Sequence, residues 1–488
     1  MHGKAKEQAE IDSEREIIET STVQAMGKNK YGNVTQSELE EKLNNNTGND
    51  KTEVIDNEDT LVVKFIDSGR YYEVDSNGNV SEPIEIIVDE YAGDLTKGGI
   101  YDGSSEEMSY QINCIEDLVS FSRNVNSGNS YDGKYVKLMR TLDFNSIFSY
   151  NNYKTTYSYD VDTNSYIEDI NSNTTLIDLC TNDKGFIPIG NSASVNARYR
   201  GNFNGQGFEI KNIYINTTAN AGLFGECNLA TIQNLGISGN ITSTKNHAGG
   251  IVATASCRFI NCFNNANIKA DSYAGGIVGT GGSQSISMSD CYNTGMIISE
   301  KGLAGGLAAT FAGKISNSYN IGEVKSNSSY SGGILGQAAG AIVVTNCYNS
   351  GNIYSGGWQS GGIVAYEYVG ATIENCYNTG DISSINSAVS YRCAKGIGGT
   401  TTTNCYNIGK LSSDNKCYAI GGNTIRNCYY DSLKVGNIVE TESIEDIKNI
   451  NIDNFVNLLN SYIDDTGVYP ENWKKWKMDE KNGYPTFE

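Results

Sequence analysis

Between residues 201 and 432 the apolar positions fall into short β-rich elements separated by Gly, Asn and Ser. The amphipathic runs of roughly 10–15 residues that a helical repeat needs are missing there. The same order of apolar and polar positions returns at a fixed interval. Asn346-Cys347-Tyr348-Asn349-Ser350-Gly351 reappears as Asn375-Cys376-Tyr377-Asn378-Thr379-Gly380 and as Asn404-Cys405-Tyr406-Asn407-Ile408-Gly409. Earlier copies are Asn261-Cys262-Phe263-Asn264, Asp290-Cys291-Tyr292-Asn293 and Asn317-Ser318-Tyr319-Asn320, and the last is Asn427-Cys428-Tyr429-Tyr430. From Cys262 the steps are 29, 27, 29, 29, 29 and 23 residues. A second element, Ala274-Gly275-Gly276-Ile277 with counterparts beginning at Ala248, Ala304, Ser331 and Ser360, keeps step with the first. Two phased elements predict a β-solenoid of 27–29 residues per coil. Identical positions then stack at roughly 4.8 Å along the axis.

That geometry assigns roles to the repeated residues. Cys262, Cys291, Cys347, Cys376, Cys405 and Cys428 alternate with polar neighbours and are predicted to point inward, with Ser318 filling the slot once. A column of small buried thiols fits better than a metal-binding stack, because no CxxC spacing occurs. Disulfides along the column are not expected, since adjacent parallel rungs would strain them. Pairing stays open for Cys227, Cys257, Cys393 and Cys417, and the state of Cys114 and Cys180 is equally open. Asn346, Asn375 and Asn404, with Asn261 and Asn427, are predicted to form a side-chain amide ladder at a turn, Asp290 standing in once. The paired glycines are read as a tight corner or as positive-φ positions.

The flanks read differently. Residues 4–27 suggest a charged helix with an interrupted apolar stripe of Ala5, Ala9, Ile11, Ile17, Ile18 and Val23. A second helix starts after Thr35 as N-cap, and strands are expected at 60–66 and 70–74. The domain plan is an α/β unit at 1–90, a Gly-, Ser- and Asp-rich linker at 91–109, and an N-terminal cap at 110–200. That cap carries an inserted loop or hairpin at 145–182. The solenoid follows at 201–432, then a C-terminal cap at 433–488. The last contains a helix at 452–462 and a core of Trp473, Trp476, Tyr484 and Phe487. Caps are needed because open solenoid ends expose unpaired strands.

Composition narrows the function classes. The chain has 488 residues, with 54 Gly and 32 Tyr but only 2 His, a content too aromatic for disorder. The net charge is −21, which argues against nucleic acid as a partner. Residues 201–430 hold 10 Asp and Glu against 12 Lys and Arg, so the acidity belongs to the flanks. No apolar stretch of about 18 residues occurs, so no transmembrane helix is expected, and Met1-His2-Gly3 does not resemble a signal peptide.

Ala274-Gly275-Gly276-Ile277-Val278-Gly279, followed by Cys291-Tyr292-Asn293-Thr294-Gly295, resembles the GLUG motif of bacterial surface proteins. The lead-in Gly185-Phe186-Ile187-Pro188-Ile189-Gly190, then Gly201-Asn202-Phe203-Asn204-Gly205, and the closing Asn482-Gly483-Tyr484-Pro485 are similar to the flanks of such arrays. The resemblance covers roughly 110–488, and within it 112–126 resembles the short capping helix that precedes such arrays. It implies a right-handed parallel β-helix and an extracellular, adhesin-like role. GLUG arrays also accompany metallopeptidase domains, but no HExxH occurs here, so that activity is not carried over. The order of elements in 1–90 resembles Gram-positive type IV pilin-like proteins without their hydrophobic helix. That implies a cell-surface or pilus location, pilin subunits as partners of the N-terminal helix, and membrane contact only through a hydrophobic helix missing from this sequence.

A β-helix that cleaves polysaccharide needs clustered carboxylates on one groove. Asp290, Glu367, Glu374, Asp381 and Asp414 sit in different phases of the repeat, although Glu374 and Asp381 could be within reach of one another. No catalytic residue, metal or cofactor is therefore assigned, and the chain is read as a non-enzyme. The favoured role is binding a host or matrix glycan or surface protein, with Tyr354, Trp358, Tyr366 and Tyr368 as the exposed aromatic group. Tyr366 and Tyr368 are expected on one face of a strand. A polysaccharide lyase or glycoside hydrolase is the alternative, and a structural stalk or minor pilin the second.

Overall fold

The structure, a computed structural model, describes residues 2–26, 35–47, 51–57, 60–65, 71–75, 78–81, 101–144, 156–160, 165–169, 185–282, 286–367, 370–385, 393–436, 438–439, 444–465 and 473–488. They fall into two compact units, one within Met1–Ala92 and one within Gly93–Asn145 and Tyr153–Glu488.

The first unit starts with helices His2–Met26 and Gln36–Thr47. Thr35 and Glu38 form a reciprocal cap: the Glu38 amide donates to Thr35 Oγ1 at 3.4 Å, and the Thr35 amide donates to Glu38 Oε2 at 3.1 Å. Strands Thr52–Asn57, Thr60–Phe65 and Tyr71–Asp75 form an antiparallel sheet in that order. Ile18, Leu39, Leu43, Val63 and Tyr72 close its core. Val23 is 68% exposed, so it falls outside the predicted apolar stripe. Strand Thr52–Asn57 was not expected: its polar Thr52, Glu53 and Asp56 hide the pattern.

The second unit is mainly β, with about nine parallel coils stacked in register. Each coil contributes to three sheets. A long sheet includes strands Val252–Ile260, Ala308–Ser316, Leu335–Thr345 and Ala371–Glu374. A second sheet holds paired short strands such as Tyr292–Asn293 and Ile297–Ser299. A third holds two- and three-residue strands at the glycine corners, such as Ala274–Gly275 and Gln359–Gly361. Aliphatic columns fill the interior. Ile241, Ile268, Ile297, Val324, Ile353 and Ile382 lie in direct register on the second sheet, all at most 1% exposed. Ile251, Ile277, Leu307, Ile334 and Ile363 form another, fully buried.

Polar columns lie beside them. Asn264, Asn293, Asn320, Asn349, Asn378 and Asn407 are completely buried. Along the column each amide through Asn378 donates to the next Oδ1 at 2.6–2.8 Å and to the carbonyl two residues on at 2.8–2.9 Å. Every buried N–H therefore has an acceptor. These are the asparagines after the tyrosine, which the sequence pattern did not single out.

The asparagines before the cysteine form a second ladder. Asn346, Asn375, Asn404 and Asn427 each donate to the preceding member at 2.6–2.9 Å, starting at Asn317. Their φ values of 48–54° place them in the left-handed region, which Asn tolerates better than most residues. The corner glycines lack positive φ. They are needed for close approach instead: a Cβ on Gly305 would lie 1.7 Å from the Ala308 carbonyl oxygen.

The six ladder cysteines are buried free thiols. The amides of Cys347 and Cys376 point at the next sulfur at 3.4 and 3.3 Å. At the gap Ser318 Oγ accepts from the Cys291 amide at 3.0 Å and donates to the Ser316 carbonyl at 2.7 Å. Burial pushes the Cys291, Cys347 and Cys405 thiols well up.

Outside, Phe263, Tyr292, Tyr319, Tyr348, Tyr377 and Tyr406 stack ring on ring at 4.8–5.2 Å and within 5° of parallel. The C-terminal segment crosses the far half of this stack. Helix Ile452–Asp465 brings Phe455 against Tyr406 and Tyr429, and the hairpin Trp476–Asp479 with Tyr484–Phe487 covers Tyr377 and Tyr406. Tyr406 donates its hydroxyl to the Pro485 carbonyl. Strand Ile444–Asp446 closes the end by pairing with Cys428–Tyr430. The predicted C-terminal cap core is thus split: Trp476, Tyr484 and Phe487 pack on the flank of the solenoid. At the other end helix Ile115–Asn126 lays Leu118, Phe121 and Val125 on the core, and Tyr110–Ile112 before it is strand, not helix. Of the insertion at 145–182, strands Thr156–Asp160 and Ser165–Asp169 pair antiparallel, and its other residues lie outside the described ones.

Two outcomes follow from these columns. Cys376→Ser should cost under about 1 kcal/mol, because Ser318 shows that the slot accepts a hydroxyl, whereas Asn378→Ala should cost on the order of 3 kcal/mol by stranding its buried partners. Urea denaturation checks the ranking, and equal losses would contradict it. Burial also pushes the Tyr377 hydroxyl from 10.0 up to about 12. The unfolded chain loses this proton first, so the contribution of the neutral ring is complete below pH 10 and disappears toward pH 12. Melting temperature should fall across that window, and less steeply in Tyr377→Phe; a level profile through the window is the contrary result.

Candidate functional site

The residues before the glycine corners are His247, Tyr273, Leu303, Tyr330 and Gln359, all partly exposed except Leu303, which is buried. A parallel outward column on the long sheet runs Glu226, Thr254, Thr280, Thr310, Gln337 and Tyr366. The two columns touch. Asn220 Nδ2 reaches Glu226 Oε1 and Thr254 Oγ1, both at 3.2 Å, and further along Tyr330 stacks on Tyr366 at 4.5 Å and 9°. Thr280 and Thr310 share a hydroxyl hydrogen bond of 2.7 Å.

At the Tyr330 coil the surface becomes aromatic. Trp358 lies 6.1 Å from Tyr330 at 45° and is 44% exposed. Its backbone amide donates a hydrogen bond to the Ser329 carbonyl at 3.3 Å, and Ser384 Oγ donates to its carbonyl at 3.1 Å. The tilt matters. In the long tyrosine stack each ring face is covered by its neighbour, so that stack offers only edges. Trp358 keeps a face open to solvent, which is what a sugar ring or an aliphatic stem can lie against.

Two acceptors without partners follow Trp358 and Tyr366 in sequence, although strand alternation puts Glu367, in register with the buried Ala338, on the other face from Tyr366. Gln359 Oε1 and Glu367 Oε2 are sheltered and accept no hydrogen bond among the described residues. The other oxygen, Glu367 Oε1, lies 3.7 Å from Lys395 Nζ, and both side chains are under one-fifth exposed. Buried acceptors without donors are expensive, so Gln359 beside Trp358 favours a ligand that donates a hydrogen bond. At the start of the column His247 stacks on Tyr273 at 4.7 Å, and burial holds its imidazole below the usual range.

Of the aromatic residues singled out by sequence, Trp358 and Tyr366 meet at this place, through Tyr330. Tyr354 does not join them: it projects from strand Ile353–Ser355, between Lys325 and Ser383, with Lys325 Nζ 5.4 Å from its ring centre. Tyr368 lies outside the described residues. Tyr330 was missed, although its position directly before Ser331-Gly332-Gly333, shared with Tyr273 and His247, marks it. Glu374 and Asp381 fall on different sheets; Glu374 ends strand Ala371–Glu374, while Asp381 accepts from the Lys410 amide at 3.0 Å. Among the described residues no group of three or more His, Cys, Asp or Glu is arranged to hold a metal ion, and no helix is long and apolar enough to cross a membrane.

No protein-family model and no curated protein matches the chain. Among solved structures it is similar to the crystal structure of a putative immunoglobulin A1 protease from Bacteroides ovatus, at 18% identity and a TM-score of 0.46, over 81% of this chain and 96% of that one.

The environments of the three tryptophans differ enough to check the site directly. Trp473 and Trp476 are 7% and 1% exposed, against 44% for Trp358. A collisional quencher should reach Trp358 alone, and Trp358→Phe should leave fluorescence that iodide barely quenches. Unchanged quenching in that variant would show that Trp358 is covered.

Proposed function

We propose that this chain is an extracellular bacterial protein of the GLUG-repeat type, at the cell surface or on a pilus, that binds a host or matrix glycan through the outer face of its solenoid. The observation that carries the reading is the cluster of Tyr330, Trp358 and Tyr366, whose half-exposed indole is followed in sequence by the sheltered acceptor of Gln359. Flat aromatic surface beside a polar acceptor suits a polyhydroxylated ring. The rigid columns behind it support the same reading, because a preorganised surface loses little entropy on binding. In the N-terminal unit, helices followed by a small antiparallel sheet support the pilin-like part of the proposal, with neighbouring pilin subunits as partners of the first helix.

A glycan screen with the full chain tests the proposal. A neutral oligosaccharide ligand should emerge, and Trp358→Ala and Tyr330→Ala should each weaken it about tenfold or more while leaving the melting temperature nearly unchanged. Absence of any glycan ligand, or full affinity in both variants, would falsify the binding site.

A further inference from the structure

We propose a second, separate site on the long sheet that takes the acidic group of a carboxylated or sulfated glycan. A hollow of about 400 Å³ opens where the C-terminal segment crosses strands Ala308–Ser316 and Leu335–Thr345. Lys314, Ser316 and Asn317 line it from the sheet, and Trp473 and Lys474 line it from the C-terminal segment. Neither ammonium has an ion-pair partner among the described residues. The central body is nearly neutral, so two lysines against the one carboxyl of Glu374 leave a net positive charge around this hollow.

The hollow is built by the outer asparagine ladder. The Lys474 amide donates to Asn346 Oδ1 at 3.1 Å, and Asn375 Nδ2 donates to the Lys474 carbonyl at 2.9 Å. Trp476 Nε1 donates to Asn375 Oδ1 at 2.7 Å. These bonds fix the segment that carries Trp473 and Lys474 against the sheet. Asn317 heads this run of the ladder: its Oδ1 accepts from Asn346 at 2.9 Å, and its Nδ2 donates to no described residue. An anion seated here would meet two ammonium groups, this amide and the Ser316 hydroxyl. Glu374, in register with Thr345, also borders the hollow: it interacts with Trp473 and Lys314, it is half-buried, and burial raises its carboxyl above the usual range.

A second hollow of about 460 Å³ adjoins the first along the same two strands, lined by Gly313, Val343, Thr372 and Thr401. It offers aliphatic surface and hydroxyls without charge. A cationic pocket next to a neutral one fits a chain of sugar units with an acid on one of them better than a free anion. The Tyr330 corner contributes nothing to either hollow.

The experiment uses the full chain and calorimetry with hyaluronan fragments, chondroitin sulfate, a neutral glucan and inorganic sulfate. Binding of at least one acidic glycan should exceed that of the glucan and of sulfate, and weaken as salt rises. Lys314→Met and Lys474→Met should each weaken it about tenfold, with melting temperatures confirming an intact fold. Hyaluronan and chondroitin sulfate distinguish carboxylate from sulfate ester as the recognised group. Equal affinity for acidic and neutral glycans, or full affinity in both lysine variants, would sink the proposal. Loss of acidic-glycan binding in Trp358→Ala would also sink it, by showing one site instead of two; loss of neutral-glycan binding alone bears only on the Tyr330 corner.

Discussion

In-register backbone pairing between successive coils is the constraint from which the rest of the second unit follows. Once Tyr292 pairs with Tyr319 and Ile297 with Val324, every side chain sits one rung from its counterpart. At that spacing a residue type must tolerate its own kind above and below. Aliphatic side chains do so by packing. Amides do so by donating in one direction, as from Asn264 to Asn293 and on toward Asn407. Aromatic rings do so by lying flat on one another, and thiols by being small. Charges do not tolerate it, which explains why the body carries few and why those present interrupt columns instead of forming them.

Interruptions are where chemistry collects. Tyr366 takes a place held by Thr254, Thr280, Thr310 and Gln337 in earlier coils, and Lys395 stands in register with Gly361. These substitutions put a ring on a surface otherwise made of small polar groups, and a largely buried ion pair at a glycine corner. A departure from the repeat is therefore a better guide to function here than the repeat itself, which serves the scaffold.

The fold was legible because period, strand length and the alternation of cysteine with polar neighbours all survive in a single sequence. What stayed hidden depended on distance or on geometry finer than the period. The sequence pattern points to the asparagine before cysteine as a ladder, but not to its left-handed turn, and not to the sealed interior ladder formed by the asparagine after tyrosine. It marks the glycine pairs, but not that a neighbouring carbonyl, rather than φ, excludes a Cβ. The contact between Lys474 and Asn346 spans 128 residues and follows no period. Tyr330 could have been found, since it shares its slot with Tyr273 and His247. The joining of Trp358 to it rests on a turn whose path the repeat does not dictate.

The C-terminal segment alters how the coils depend on one another. In a solenoid each coil touches only its neighbours, so the array is a chain of separable links. Here one continuous segment holds Asn346 through Lys474, Asn375 and Tyr377 through Trp476, Tyr406 through Pro485 and Tyr429 through Phe455. It acts as a splint: the four coils beneath it cannot part singly, because opening any one requires the splint to lift from the others. The coils from Phe263 to Tyr319 have no such brace among the described residues and keep the independence of ordinary repeats.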